Sequence, residues 1–248
     1  MSVSSVPHTL LALHGSASSA KQWSTLKDAV AHSFSVVTPT LLDTSADCRL
    51  VMLLDEVAQC PGRIHILAHS FGAAVALKIA NQRPDKIASV TLYDAVVPIE
   101  TADRIAPPLQ LQELSMRMRR ESPEHGMALF LDFWAGSGSW DASSSRRRDA
   151  LAAKYTSVLN DFDQLIAGEW TSDPILYDGP MAVLQGGKSP TAIKQVAEYL
   201  ARSYPNVTSF LLPGLDHMAP LTLPNLTDAL FMKFVFSHLP AHQLSEAA

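Results

Sequence analysis

The sequence has few of the residues that several classes of protein require. Its two cysteines, Cys48 and Cys60, are too few for a disulfide framework and do not have metal-ligand spacing. Charged residues make up only 17% of the chain, and the net charge of −5 argues against a general role in binding nucleic acid or a membrane surface. No apolar run approaches the ~18 residues of a membrane span, and no basic residue precedes Lys21, as a secretory signal would need. We therefore expect a cytoplasmic protein.

What the chain has instead is apolar sequence in short, regular runs. Hydrophobic residues account for 47% of its 248 residues, which is enough for the core of one large α/β domain. Helical patterns separate six apolar runs that predict strands at residues 9–13, 34–39, the stretch before Ser70, 88–93, 181–184 and 207–212. This alternation is typical of an α/β fold with a six-stranded, mostly parallel, doubly wound sheet.

The alternation stops between the fourth and fifth predicted strands. Residues 98–180 contain no convincing strand pattern but several helical ones, including a long amphipathic stripe from Leu151 to Leu165. We interpret residues 98–179 as a helical cap, inserted into a core that is formed by residues 1–97 and 180–248.

Ser70 lies at an abrupt change from a strand pattern to a helix pattern. The segment Ala68-His69-Ser70-Phe71-Gly72 matches the nucleophile-elbow pattern G-x-S-x-G, except that alanine replaces the first glycine. The flanking positions must be small because the strand and helix backbones approach closely there, and alanine is the least bulky substitute. The alternative interpretation is an ordinary strand-to-helix turn with a capping serine.

A serine hydroxyl is a weak nucleophile near neutral pH and needs a base. His217 follows the last predicted strand and is the best candidate, because the unperturbed histidine pKa of about 6.5 suits proton transfer. Ser70 and His217 can meet because the C-terminal ends of parallel strands share one edge of the sheet. His69 is predicted to be structural, with its side chain pointing away from the site, and His14 to shape the first loop.

The carboxylate that would orient His217 has more than one candidate. The turn after the fifth predicted strand, residues 185–189, contains no acid. Ser189 is predicted to be the N-cap of the next helix, with Pro190 at its first position. Asp94, at the end of the fourth strand, is the predicted acid. The alternatives, weaker by their position in the chain, are Asp216, Asp173 and Asp178.

Catalysis at Ser70 also requires backbone N–H groups that stabilise the developing negative charge. The N–H of Phe71, at the start of the helix after the serine, can supply one of them. The second can come from Ser16, in the sequence His14-Gly15-Ser16 after the first strand.

These motifs resemble the α/β-hydrolase fold family, in a shortened six-strand form with a cap. The resemblance extends over nearly the whole chain and rests on His14-Gly15-Ser16, Trp23, Ala68-His69-Ser70-Phe71-Gly72 and Pro213-Gly214-Leu215-Asp216-His217-Met218. Leu92-Tyr93-Asp94 and Gly186-Gly187-Lys188-Ser189-Pro190 resemble a branch of hydrolases whose acid follows the strand after the nucleophile helix. Some dehalogenases of this fold place their acid similarly but use an aspartate nucleophile, so Ser70 argues against dehalogenation.

The resemblance implies a serine hydrolase that cleaves an ester, thioester, amide or activated C–C bond and forms an acyl-enzyme on Ser70. Carboxylic esters are the first expectation. The apolar cap indicates a small, largely apolar substrate. The predicted pocket residues are His14, Phe130, Phe133, Trp134, Trp140 and Met218. The alternative for most of the aromatic cap residues is that they only pack the cap against the core.

Two other functions stay open. One is a ligand-binding or signalling protein with weak turnover, which Ala68 and the missing acid after the fifth strand suggest. The other is a cofactor-free lyase or perhydrolase. The sequence has no metal-binding cluster and no phosphate-binding glycine motif, so we expect no metal and no cofactor. Both a monomer and a homodimer are compatible with the sequence.

Overall fold

The computed structural model describes residues 8–41, 44–101, 104–171 and 174–239. Its strands are, in chain order, β1 (His8–Leu13), β2 (Phe34–Val37), β3 (Ile64–His69), β4 (Ile87–Tyr93), β5 (Ile99–Glu100), β6 (Ile105–Ala106), β7 (Met181–Gly186) and β8 (Val207–Leu212). All but β5 and β6 form one parallel sheet in the order β2-β1-β3-β4-β7-β8. The six strands predicted for the core are therefore confirmed, with ends displaced by a few residues.

Ten helices lie in the part of the chain that the structure describes, and five of them cover the two faces of this sheet. The ten are α1 (Ser24–Val30), α2 (Ala46–Gln59), α3 (Gly72–Gln82), α4 (Leu109–Met118), α5 (Pro123–Ala135), α6 (Ser145–Ala152), α7 (Tyr155–Ile166), α8 (Thr191–Ser203), α9 (Ala219–Thr222) and α10 (Pro224–Phe236), and a 3-10 turn, Ala20–Trp23, precedes α1. Helices α1 and α10 share one apolar core cluster, and α2, α3 and α8 share the other. Among the residues described, none of the helices is long and apolar enough to cross a membrane.

Strand β1 shows why the central strands are apolar throughout. Leu10 and Ala12 belong to the core on the α1 and α10 side, whereas Leu11 and Leu13 belong to the core on the other side. Successive side chains of a strand point to opposite faces, so a strand that is buried on both faces carries apolar side chains on both. The short apolar runs of the sequence are the direct result.

The segment between β6 and β7 is the helical insertion, and it contains α4 to α7. Two details differ from the sequence prediction. Ile99 and Ile105 lie in a short antiparallel pair formed by β5 and β6, where no strand was expected. The long stripe from Leu151 to Leu165 is divided between α6 and α7, because α6 ends at Ala152 and a new helix begins at Tyr155. Neither proline nor glycine marks that break.

Candidate active site

Ser70 lies in the turn between β3 and α3, with a left-handed backbone at φ 56°. A non-glycine residue in this conformation costs on the order of 1 kcal/mol, so the surrounding structure must hold it there. Gly72 permits the turn, since a Cβ at this position would lie 2.7 Å from the carbonyl oxygens of Leu13 and His14. The close approach that requires a small residue is thus between α3 and the end of β1. Ala68, the departure from the motif, is fully buried in β3.

Ser70, His217 and Asp94 form a continuous hydrogen-bonded chain. The Ser70 Oγ lies 3.0 Å from Nε2 of His217, and Nδ1 of His217 lies 3.2 Å from Oδ2 of Asp94. The tautomer that satisfies both contacts has its proton on Nδ1, donated to the carboxylate, and leaves Nε2 to accept from the serine. All three side chains are buried, with at most 6% of their surface exposed.

Asp94 is held by three donors. It follows β4 with φ 44° and is completely buried. Its Oδ1 accepts from the backbone N–H of Gly186 at 2.8 Å, while its Oδ2 accepts from the hydroxyl of Ser189 as well as from His217. These donors fix the orientation of the carboxylate and compensate for its burial.

The Ser189 contact corrects the predicted N-cap. Helix α8 begins at Thr191, Pro190 occupies the capping position, and no side chain caps the helix. The hydroxyl of Ser189 points instead to Asp94, 95 residues away in sequence. The turn after β7 therefore contributes a donor to a carboxylate from β4 and supplies no acid of its own.

The alternative acids lie elsewhere. The Asp216 carboxylate accepts from the backbone N–H of Met218 at 2.9 Å, which closes a tight turn beside His217 without facing the imidazole. Asp178 is exposed, and its carbonyl oxygen accepts from the side chain of Asn206. Asp173 lies outside the described residues.

Two buried side chains fix the loop that carries His217. His69 donates from Nε2 to the backbone oxygen of His217 at 2.9 Å, and the Tyr93 hydroxyl donates to the backbone oxygen of Asp216 at 2.8 Å. Burial lowers the pKa of His69 well below its usual value, and the neighbouring His217 lowers it further, so His69 is the neutral donor that this contact requires. The prediction that His69 points away from the site is wrong, because its ring lies 4.8 Å from that of His217.

The cap covers the imidazole directly. The indole ring of Trp134, from α5, stacks on His217 with 3.8 Å between ring centres and an angle of 22° between the planes. This parallel contact restricts rotation of the imidazole and excludes water from one of its faces. The sequence predicted Trp134 as a pocket residue but gave no sign of the stacking.

The two residues predicted to supply oxyanion donors, Phe71 and Ser16, line a small cavity together with Ser70. Neither Phe71 nor Ser16 donates its N–H to another backbone group within the part of the chain that the structure describes. The loop of Ser16 reaches the serine because Gly15 has no side chain, and a Cβ on Gly15 would lie 3.0 Å from the Cβ of Ser70. Backbone N–H groups without a backbone acceptor, close to a nucleophile, are available to stabilise negative charge on a substrate oxygen.

An ion pair between core and cap supports the loop of Ser16. The Ser16 hydroxyl donates to Oδ2 of Asp161, on α7, at 2.7 Å, and Oδ1 of Asp161 pairs with the Arg49 guanidinium at 3.1 Å. Both charged side chains are buried, and the guanidinium also lies over the rings of Phe71 and Trp170. No motif in the sequence indicates this network, because its members lie 112 and 145 residues apart.

A cavity of about 670 Å³ opens onto Ser70 and His217. Three of the predicted pocket residues, Phe130, Trp134 and Met218, line it. The other three, His14, Phe133 and Trp140, are absent from its described wall. Trp140 is buried within the cap, and Phe133 packs against Trp134 with 4.7 Å between ring centres.

His14 contacts the backbone of two segments near the end of β1. Its Nε2 accepts from the N–H of Leu41 at 3.1 Å, and its Nδ1 contacts the carbonyl oxygen of Gly15 at 2.9 Å. Burial lowers the pKa of His14, in keeping with a neutral ring. The expectation that His14 shapes the first loop agrees with these contacts.

Comparison with known proteins identifies a family. The sequence model of the alpha/beta hydrolase family matches residues 10–229. No curated protein matches the chain significantly.

Solved structures share the fold at low sequence identity. The protein lip1 of Acinetobacter baumannii AYE, a proposed lipase, has a TM-score of 0.72 and 23% identity, over 95% of this chain and 85% of its own. A thermophilic, malate-bound esterase from Thermogutta terrifontis has a TM-score of 0.66 and 16% identity, over 94% and 91%. The epoxide hydrolase CorEH has a TM-score of 0.68 and 16% identity, over 92% and 90%. Because these three have different activities, the likeness shows the fold, and the reaction must come from the site.

Proposed function

The chain belongs to the alpha/beta hydrolase family, and on this basis we propose that it is a serine hydrolase that cleaves carboxylic esters through an acyl-enzyme on Ser70. One observation carries the proposal: the Ser70 Oγ lies 3.0 Å from a His217 nitrogen whose ring is oriented by the buried carboxylate of Asp94. A serine that only capped a helix would need neither partner.

The geometry suggests the order of proton transfers. As Ser70 Oγ attacks the substrate carbonyl, Nε2 of His217 accepts its proton, and Asp94 stabilises the imidazolium that forms. The backbone N–H groups of Phe71 and Ser16 bind the oxyanion of the tetrahedral intermediate. His217 then protonates the leaving alcohol, and a water molecule activated by the same histidine hydrolyses the acyl-enzyme.

The size and lining of the cavity fit a substrate with an acyl group of moderate size. Its volume of about 670 Å³ lies in the range of small-molecule sites. Apolar side chains from the cap, from the loop after β8 and from α9 line the cavity, namely Phe130, Leu131, Trp134, Leu151, Met218 and Leu221. We therefore retain the expectation of a largely apolar substrate.

The test is hydrolysis of 4-nitrophenyl esters of increasing acyl length, with identification of the products. We expect turnover by the wild-type protein and none above background by Ser70→Ala, whereas the exposed Ser24→Ala control keeps full activity. Turnover that persists in Ser70→Ala contradicts the proposal. Acyl transfer to peroxide, or a product formed without water, would assign the protein to the perhydrolase or lyase alternative.

A further inference from the structure

The charged side chains that line the cavity at Ser70 are all positive. Lys21, Arg147 and Lys154 line it, and no aspartate or glutamate is found among its described lining residues. This contrasts with the chain as a whole, which has a net charge of −5. A concave surface lined by one sign of charge attracts ligands of the opposite sign.

Two of the cations share one face of α6 and the turn that follows it. Arg147, Ala150, Leu151 and Lys154 all line the cavity, and their spacing of three, four and seven residues places them on the same side of a helix. Arg146, the preceding residue, is exposed and does not line it. The helix therefore presents one arginine to the cavity and another to solvent.

These cations have no carboxylate partner. In the described part of the chain, ion pairs to aspartate or glutamate are formed by Arg49, Arg83, Arg119 and Lys194, but not by Lys21, Arg147 or Lys154. The charge of Lys154 also acts toward the interior, since it contributes to the lowered pKa of the buried His14. Positive charge at the cavity is thus not neutralised by the protein itself.

Two other residues that line the cavity have side-chain donors without a partner. The indole N–H of Trp134 and the side-chain amide nitrogen of Gln22 are buried and have no hydrogen-bond partner, and both side chains line the cavity. Buried donors normally find an acceptor. These two nitrogen atoms are themselves buried, so the choice of ligand depends on the exposed cations, which favour negatively charged oxygen.

We propose that Lys21, Arg147 and Lys154 form an anion subsite, so that the substrate is an ester with a carboxylate or phosphate group at the end remote from the reacting carbonyl. The proposal rests on the proposed serine hydrolase function and names the substrate class for it. The apolar wall holds the chain between the two ends of such a substrate, and the exposed cations bind its charged end.

The expected effect of each cation is modest. Exposed ion pairs contribute about twofold each to binding because water and salt screen them, so the three together give nearly tenfold. The contribution must fall at high ionic strength, because the Debye length shortens to a few ångströms near 1 M salt.

The test compares 4-nitrophenyl hydrogen adipate, which has a carboxylate at the remote end, with methyl 4-nitrophenyl adipate, in which that carboxylate is replaced by its uncharged methyl ester. We expect kcat/KM to be about tenfold higher for the charged ester at low salt. The double variant Arg147→Gln/Lys154→Gln should lose most of this preference, and Arg146→Gln should keep it. A third ester, 4-nitrophenyl 6-phosphonooxyhexanoate, shows whether carboxylate or phosphate is preferred.

Several results would overturn the subsite. The first is an equal kcat/KM for the charged and neutral esters. The second is a preference for the charged ester that the double variant keeps, and the third is a preference that about 0.5 M salt does not reduce. Binding of the same adipates to Ser70→Ala, measured by calorimetry, gives a readout that needs no turnover. If neither ester is hydrolysed, the proposed function is wrong. The subsite is then supported if Ser70→Ala binds the charged ester more tightly than the neutral one, and contradicted if it does not.

Discussion

The hydroxyl of Ser189 donates a hydrogen bond to Oδ2 of Asp94, the same oxygen that accepts from His217. Ser189 stands just before α8 and Asp94 just after β4, and β4 and β7 are neighbours in the sheet. The contact joins two strand ends at the carboxylate on which the orientation of the imidazole depends.

Ser189→Ala should lower kcat by about tenfold while KM stays close to that of the wild type. A hydrogen bond to a charged group contributes about 1.5 to 3 kcal/mol, and its loss leaves the Asp94 carboxylate with one fewer donor to fix its direction. Steady-state kinetics on a 4-nitrophenyl ester measure the effect. Ser45→Ala is the matched control, since Ser45 does cap its helix; it should cost about 1 kcal/mol of stability and leave kcat unchanged. Wild-type kcat in Ser189→Ala would show that Asp94 needs no such support.

Asp94→Asn should reduce kcat by about 10³- to 10⁴-fold, because the amide can no longer stabilise the imidazolium or hold the required tautomer. Asp216→Asn should stay within a few-fold of the wild type, since the amide oxygen can still accept from the N–H of Met218. Parallel kinetics on the two variants decide between the two acids. A larger loss in Asp216→Asn than in Asp94→Asn would exclude Asp94 as the orienting group.

Asp161→Asn should lower kcat about tenfold without raising KM. The substitution weakens the ion pair with Arg49 and the hydrogen bond that supports Ser16, whose N–H is a proposed oxyanion donor. Complete loss of such a donor lowers kcat by about 10²- to 10³-fold, so a partial displacement should have a smaller effect. Asp163→Asn on the same helix is the control, because it removes an exposed pair with Arg119 worth less than about 1 kcal/mol. Circular dichroism confirms that both variants are folded at the assay temperature. If the two variants have equal kcat, Asp161 does not position the oxyanion loop.

Asp228 should make the protein less stable as the pH rises from about 4 to 6. Burial raises the pKa of its carboxyl to about 6, and one of its oxygens has no hydrogen-bond partner. Since the folded state binds the proton more tightly than the unfolded state, the free energy of unfolding falls as the pH passes from the unfolded to the folded pKa.

Asp228→Asn should therefore be more stable than the wild type at pH 7.5, by about 1 to 2 kcal/mol after allowance for partial solvation. The difference should nearly vanish near pH 3, where the wild-type carboxyl is mostly protonated in both states. Urea unfolding at the two pH values measures it, and the comparison between variant and wild type cancels the titration of the histidines. A variant that is less stable than the wild type at pH 7.5 would contradict the assignment.

The core of the fold and the three central residues could be predicted because they depend on local patterns. Strands buried on both faces are continuous apolar runs, and small residues around Ser70 are required where α3 approaches the end of β1. His217 and Asp94 follow strands, and parallel strands bring their C-terminal ends to one edge. These features need no knowledge of side-chain direction.

The support for these residues could not be predicted in the same way. Ser189 before Pro190 has the pattern of an N-cap, and only the fold brings Asp94 within reach of its hydroxyl. The sequence predicts that His69 points away from the site, whereas its ring contacts His217 in the loop after β8. The pair of Arg49 and Asp161 joins core to cap, and neither residue lies in a motif. Side-chain contacts between distant segments depend on backbone angles and packing that no local pattern specifies.

The central claim is that Ser70 is a nucleophile activated by His217. Reaction with a fluorophosphonate probe, followed by intact mass measurement and peptide mapping, tests it most directly. We expect one covalent adduct per chain, located on Ser70, absent in Ser70→Ala and formed far more slowly in His217→Ala. Absence of an adduct in the wild-type protein, or equal labelling of Ser70→Ala, would contradict the account.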